Sequence, residues 1–226
     1  MITLAEENYL KAILSISLDE DGRASTNAIA QEIGTTAASV SDMLKKLQEK
    51  KLINYKKYKG VELSKKGKKK AINILRKHRL WETFLVNNLG FNWGEVHEVA
   101  EQLEHIKSSE LIDRLDAFLD FPKYDPHGEP IPKKDGKIPS RNTIPLNELE
   151  EGIKGIVMGV NLDEKSFLDY LTQLKISIGT EIELVKKISF DKSLSIIIEN
   201  NKQHISNDVA KHLLIKQNKH GKFRDL

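Results

Sequence analysis

The sequence predicts a mostly α-helical chain with a β-rich C-terminal domain, and three observations carry that prediction. Up to about residue 120, apolar residues recur at helical spacing. All six prolines fall within 122–145, a concentration that fits an ordered loop or linker but neither a helix interior nor a central strand. Beyond them, short apolar runs surround one helical stretch and are broken at Gly152, Gly179 and Asn200-Asn201, as strands joined by turns would be. The expected domains are 1–72, 73–145 and 146–226.

The elements follow in order. TLAEENYLKAILSIS (3–17) reads as an amphipathic helix with Thr3 as N-cap and Glu6 at capping-box spacing. STNAIAQEI (25–33), capped by Ser25 or Thr26, is a short helix that Gly34 ends. Thr35 or Thr36 then opens a second helix through about residue 50. Short helix, Gly-containing turn and second helix make a helix-turn-helix pattern. LINYKKYKGVELSKKG alternates on both sides of Lys59-Gly60, which predicts a β-hairpin wing. Helices are expected over roughly 64–88, 94–107 and 108–119, and the last 75 or so residues read as a small β-rich barrel.

Composition narrows the function. With 39% hydrophobic and 31% charged residues and no apolar run near the ~18–20 residues that span a bilayer, a soluble cytoplasmic protein without a membrane partner is expected. Zero cysteines exclude disulfides, thiolate metal sites and cysteine nucleophiles. The net charge of +3 hides a polarity. Residues 45–79 carry thirteen Lys and two Arg against Glu49 and Glu62, a balance of +13, so the remainder carries −10. Such asymmetry suits one segment that meets a polyanion and another that holds cations.

The candidate cation-holding stretch is 74–105. His78 and Glu82 stand four apart, and His97, Glu101, Glu104 and His105 follow at steps of four, three and one, so each set shares a helix face. Residues 95–120 hold eight carboxylates against Lys107 and Arg114, and converging carboxylates repel unless a cation sits among them. The spacing lacks the two histidines of a zinc-peptidase HExxH helix.

In this order of parts, and in RKHRLWETFL (76–85), VHEVAEQLEH (96–105) and PHGEPIP (126–132), the chain resembles the diphtheria toxin repressor family of metal-dependent transcriptional repressors. The resemblance implies a winged helix-turn-helix over 1–72, a helical dimerisation and metal-binding domain over 73–145 and an SH3-like domain over 146–226. The wing YKKYKGVELSKKGKK and Glu101, where iron-responsive members usually have Cys, place the likeness nearer the manganese-responsive branch.

The resemblance further implies two metal sites. The first would use His78, Glu101, Glu104, His105 and, from the N-terminal helix, Asn8. Asn8 departs from the Asp or Met common there, and Lys11 stands where some manganese-responsive relatives carry a carboxylate, so this site is less anionic than the family pattern. The second would use Glu82, Asp125, His127 and an oxygen from the last domain, Asp163 first, then Glu164 or Asp169. His97 is a ligand in the iron-type arrangement and a supporting residue in the Asp-Pro-His-Gly one. Carboxylates, imidazoles and an amide without thiolate suit Mn²⁺ or Fe²⁺, although Zn²⁺, Co²⁺ and Ni²⁺ bind such sets at least as tightly. Mn²⁺ is the expected ion, chiefly because of Glu101, and no organic cofactor is expected.

On the DNA side, Lys45, Lys46, Lys56, Lys57, Lys59, Lys65 and Lys68 are placed to neutralise phosphates. Base readout falls to Ala37, Ala38, Ser39, Ser41 and Asp42 at the start of the second helix. These are small side chains with no arginine to fork onto guanine, which predicts an AT-rich or shape-read operator. The function implied is a homodimeric, metal-activated repressor on an inverted repeat, with Phe84, Leu85, Val99, Leu103, Leu111, Leu115 and Phe118 at the dimer interface. Two rivals are a metal-independent winged-helix regulator and a metal-dependent hydrolase. The hydrolase lacks a base or nucleophile separable from the ligands and leaves the basic winged helix without a role.

Overall fold

The computed structural model describes residues 2–19, 23–55, 60–140, 142–162 and 164–217. The chain forms two compact units. One comprises Met1–Trp81, Ala100–Phe118 and Ile131–Ile138; the other comprises Glu82–Val99, Leu119–Pro130 and Pro139–Leu226.

The first unit opens with α1 (Leu4–Asp19), started by the expected capping box: Thr3 N–H donates to Glu6 Oε2 at 2.9 Å, and Glu6 N–H donates to Thr3 Oγ1 at 3.3 Å. Ser25 caps α2 (Thr26–Ile33), Gly34 ends it at φ +68°, and Thr36 caps α3 (Ala37–Glu49) by accepting from Ser39 N–H. This is the predicted helix-turn-helix. Its core joins Leu10, Ile13 and Leu14 to Ile29, Val40, Leu44 and Leu47. Strands β1 (Ile53–Tyr55) and β2 (Val61–Leu63) pair antiparallel as the wing, and Ala24 bridges to Val61. The wing tip, with Lys56, Lys57 and Lys59, lies outside the described residues.

Helix α4 (Lys65–Leu89) follows, and Gly67 lets it approach the chain closely, since a Cβ there would lie 1.9 Å from Leu52 O. Next come α5 (Val96–Leu103) and α6 (Ser109–Phe118), and α4 and α5 supply residues to both units. On α6, Leu111 and Phe118 are exposed, at 40% and 65%. Leu85 and Leu115, expected at an interface, are instead buried within the chain.

The second unit is built on one antiparallel sheet of order β3-β8-β4-β5-β6-β7. Its strands are β3 (Ile144–Pro145), β4 (Lys154–Val160), β5 (Glu181–Lys187), β6 (Leu194–Ile198), β7 (Asn201–Ile205) and β8 (Leu213–Gln217). Helix α7 (Lys165–Gln173) buries Leu168 and Leu171 against the sheet's core, and a four-residue α8 (Asn207–Ala210), absent from the sequence-based expectation, precedes β8. The β4–β8 register slips between Val157 and Gly159, leaving Met158 as a bulge. Among the described residues no helix is long and apolar enough to cross a membrane.

Candidate metal centres

The bulge at Met158 receives the Asp125–Pro126–His127–Gly128 turn. Val160 N–H donates to His127 O at 3.0 Å. Gly128 adopts φ +78°, and a Cβ there would lie 1.7 Å from Met158 O, so only glycine fits both the conformation and the space. Asp125 Oδ1 organises the turn by accepting from His127 N–H at 2.9 Å and Glu129 N–H at 2.8 Å.

His127 Nε2 lies 2.7 Å from Trp93 O, and its ring stacks on the Trp93 ring. A carbonyl can only accept, so Nε2 carries a proton, and the neutral tautomer of this ring has its lone pair on Nδ1. Nδ1 stands 3.9 Å from Glu82 Oε1. Trp93 is itself held, its Nε1–H donating to Thr172 Oγ1 on α7 at 3.2 Å. Glu82, Asp125 and His127 are 2%, 5% and 6% exposed, and their ligand atoms lie within 4.8 Å of one another. Two buried carboxylates and an imidazole lone pair, without sulfur, fit a divalent ion. The Trp93 carbonyl would fix the imidazole's tautomer and aim. His97 Nδ1 adds a contact 3.3 Å from Glu82 Oε1, which ties His97 to this cluster. Asp163 lies outside the described residues, and neither Glu164 nor Asp169 joins the group.

The other expected set is in the first unit and is arranged differently. Among the described residues, Glu101, Glu104 and His105 are not drawn into a group of converging ligand atoms. They are paired instead. His78 Nδ1 lies 2.6 Å from Glu104 Oε2, and His105 Nδ1 lies 2.6 Å from Glu7 Oε2 on α1. Lys11 Nζ donates to the same Glu104 Oε2 at 2.8 Å and to Glu101 Oε1 at 3.2 Å. Burial pushes the Glu104 carboxyl up, but the His78 hydrogen bond and the Lys11 charge outweigh it and hold the group below its ordinary range. Two buried oxygens here, Asn8 Oδ1 and Glu104 Oε1, have no hydrogen-bond partner. A buried acceptor left in this way favours a further donor or cation.

Two participants escaped the sequence reading. Glu7 supplies the α1 carboxylate that Asn8 does not, and its one-turn spacing to Lys11 was the available signal. The Trp93 carbonyl left no signal, because a backbone acceptor has no residue-type signature.

The α3 residues expected to meet nucleic acid lie mostly on its outer side. Ala37, Ala38, Ser39, Asp42, Lys45 and Lys46 are exposed and Ser41 is half-buried, while Val40, Leu44 and Leu47 face the core. Asp42 is engaged by Lys45 at 3.0 Å, and Ser41 Oγ donates to Ala37 O at 2.9 Å. Lys65 and Lys68 are exposed on the first turn of α4.

A winged helix followed by helices that carry carboxylate–imidazole clusters defines a class of DNA-binding regulators tied to metal. Comparison with known proteins makes this specific. Residues 1–61 match the iron dependent repressor N-terminal DNA binding domain, 64–133 match the iron dependent repressor metal binding and dimerisation domain, and 144–217 match the FeoA domain. The iron-dependent repressor IdeR of Mycobacterium tuberculosis is 32% identical over 179 residues, 75% of this chain and 77% of that protein. A probable metal transport system membrane protein of Chlamydia trachomatis is 47% identical over 75 residues, and the chain spans only 17% of it. A solved manganese-dependent transcriptional repressor in complex with manganese superimposes with a TM-score of 0.84 at 32% identity, covering 94% of this chain and 99% of that one. The chain belongs to the iron-dependent repressor family, that of the diphtheria toxin repressor, whose members are metal-dependent transcriptional repressors and not enzymes.

Proposed function

We propose that this chain is a homodimeric repressor activated by Mn²⁺, with Fe²⁺ as the next choice, which binds an inverted-repeat operator of metal-uptake genes. The domains would be the winged helix over 1–72, the dimerisation and metal-binding part over 73–145 and the SH3-like part over 146–226. The observation that carries the reading is the buried Glu82–Asp125–His127 group in a chain that also bears a basic winged helix.

Glu82, Asp125 and His127, with His97 beside Glu82, would hold the ion, which supplies a positive charge that neutralises buried carboxylates and joins α4 to the Pro-rich turn. The turn is preorganised by the Asp125 hydrogen bonds, and the imidazole by the Trp93 carbonyl. His78, Glu101, Glu104 and His105, with Asn8, form a second candidate set. A chain whose DNA-competent arrangement binds the ion better is driven toward it by population shift. A sulfur-free set with Glu101 supports manganese. The likeness to a manganese-dependent repressor supports it further, and the likeness to IdeR keeps iron in play.

For DNA, Ala37, Ala38, Ser39, Ser41 and Asp42 would face base edges, with Lys45, Lys46, Lys56, Lys57 and Lys59 on phosphates. Exposed Leu111 and Phe118 are offered as part of the dimer contact. Phe118→Asp would then shift the sedimenting species from dimer toward monomer, and an unchanged dimer would remove α6 from the interface. The deciding experiment is operator binding titrated with Mn²⁺, Fe²⁺, Zn²⁺ and Co²⁺. Tight binding with Mn²⁺ and loss on chelation are expected. Affinity indifferent to both would overturn the metal switch.

A further inference from the structure

The α1/α5 cluster contains a cation of its own. Lys11 Nζ sits between Glu104 Oε2 and Glu101 Oε1 at 2.8 and 3.2 Å, and its side chain is only 12% exposed. Glu104 is completely buried and shares Oε2 between this ammonium and His78 Nδ1. This is not a loose surface pair of the kind that contributes little, because the shared carboxylate is out of water and would be strongly disfavoured if left alone. The contact also runs between distant parts of the sequence. It joins α1 to the end of α5 and the turn after it, as does the Glu7–His105 pair at 2.6 Å.

We propose that Lys11 is the resident cation of this cluster and fastens α1 to α5 without metal, so that a divalent ion enters only by displacing the ammonium. The ion and Lys11 compete for the same two oxygens. Glu7, Glu101 and Glu104 face Lys11 and Lys77, whose Nζ donates to Ile106 O at 3.3 Å. With the His78 and His105 imidazoles counted as neutral, three carboxylates against two ammonium groups leave one negative charge. A dication added with Lys11 in place overshoots to one positive charge, whereas exchange of Lys11 for the dication brings the cluster to neutrality. Metal response in this chain therefore rests first on Glu82, Asp125 and His127. The displacement of Lys11 by an ion and that last statement rest on the metal reading given above. The fastening of α1 stands on the Lys11 contacts alone.

The test uses the full chain and two readouts. Calorimetry and Mn²⁺ electron paramagnetic resonance count the ions bound, and hydrogen exchange follows the α1 amides with chelator or with Mn²⁺. The unaltered chain should bind one tight Mn²⁺ per protomer, and its α1 should be equally protected with chelator and with Mn²⁺. Lys11→Met should exchange its α1 amides at least tenfold faster in chelator. It should also gain a second tight Mn²⁺ and recover protection when that ion binds. Lys11→Arg should keep the parent behaviour in chelator. Two equally tight ions in the unaltered chain, or an α1 protected only by Mn²⁺, would overturn the proposal even if Lys11→Met proved unable to fold. So would Lys11→Met protection equal to the parent's in chelator. If the unaltered chain bound no metal, the metal reading would fail, while the chelator comparison would still decide whether Lys11 fastens α1.

Discussion

The two carboxylate–imidazole clusters are made from the same residue types and present different chemistry. In one, Glu104 is shared between His78 and the Lys11 ammonium. In the other, Glu82 and Asp125 converge with a histidine whose Nε2–H donates to Trp93 O, so that Nδ1 is the nitrogen on the side of the carboxylates. Burial of carboxylates creates the same demand in both places, and what differs is where the positive charge can come from. A single residue on α1 changes the first cluster from an acidic cage into a salt bridge. Counting His, Asp and Glu along a helix therefore measures the demand for charge and leaves its source open.

The sharpest way to break this comparison is to remove a ligand from the second cluster. His127→Ala is expected to weaken Mn²⁺ binding by at least ~100-fold, beyond what loss of a supporting partner usually costs. Operator binding should lose its metal response, read by gel shift with and without chelator. Exchange protection of α1 should be unaffected, since the Lys11 contacts are untouched. Metal-responsive operator binding that survives this change would move the switch to the first cluster.

Gly128→Ala probes the same cluster through its backbone. The left-handed conformation alone costs about 1–2 kcal/mol for a residue with a Cβ. The approach to Met158 O adds to that, because the bulge cannot retreat without disturbing the β4–β8 register. A lower thermal midpoint and weaker metal binding should appear together. A change in neither would mean that the turn is free to leave the bulge.

Most of this architecture was legible because it is locally encoded. Caps at Ser25 and Thr36, the Gly34 stop and the Thr3–Glu6 box are short-range hydrogen-bonding devices, and each appears where its residues predict. The sequence-based expectation also names most residues of both clusters, Glu7 and Trp93 excepted. It does not tell which atoms converge. That depends on non-local features, namely the Met158 bulge that receives the Gly128 turn, a main-chain carbonyl at Trp93, and the reach of Lys11 from α1 to Glu104 across 93 positions. Lys11 is legible as a departure that lowers the site's negative charge. That it supplies the cation itself becomes visible only in three dimensions.

A smaller effect tests whether any lysine–carboxylate pair would behave as Lys11 does. Lys45 and Asp42 on α3 are 3.0 Å apart, much like Lys11 and Glu104, but both side chains are about two-thirds exposed. Water screens such a pair, so Lys45→Ala should change folding stability by less than about 0.5 kcal/mol. Its consequence should lie in DNA binding. If Lys45 gives up Asp42 for a phosphate, its removal lowers the slope of log affinity against log salt by about one and weakens all sequences alike. Measuring that slope in saturating Mn²⁺ separates the two settings of one ion pair. An exposed lysine can exchange its carboxylate for an external anion, whereas a buried one is held by a partner that cannot be left alone.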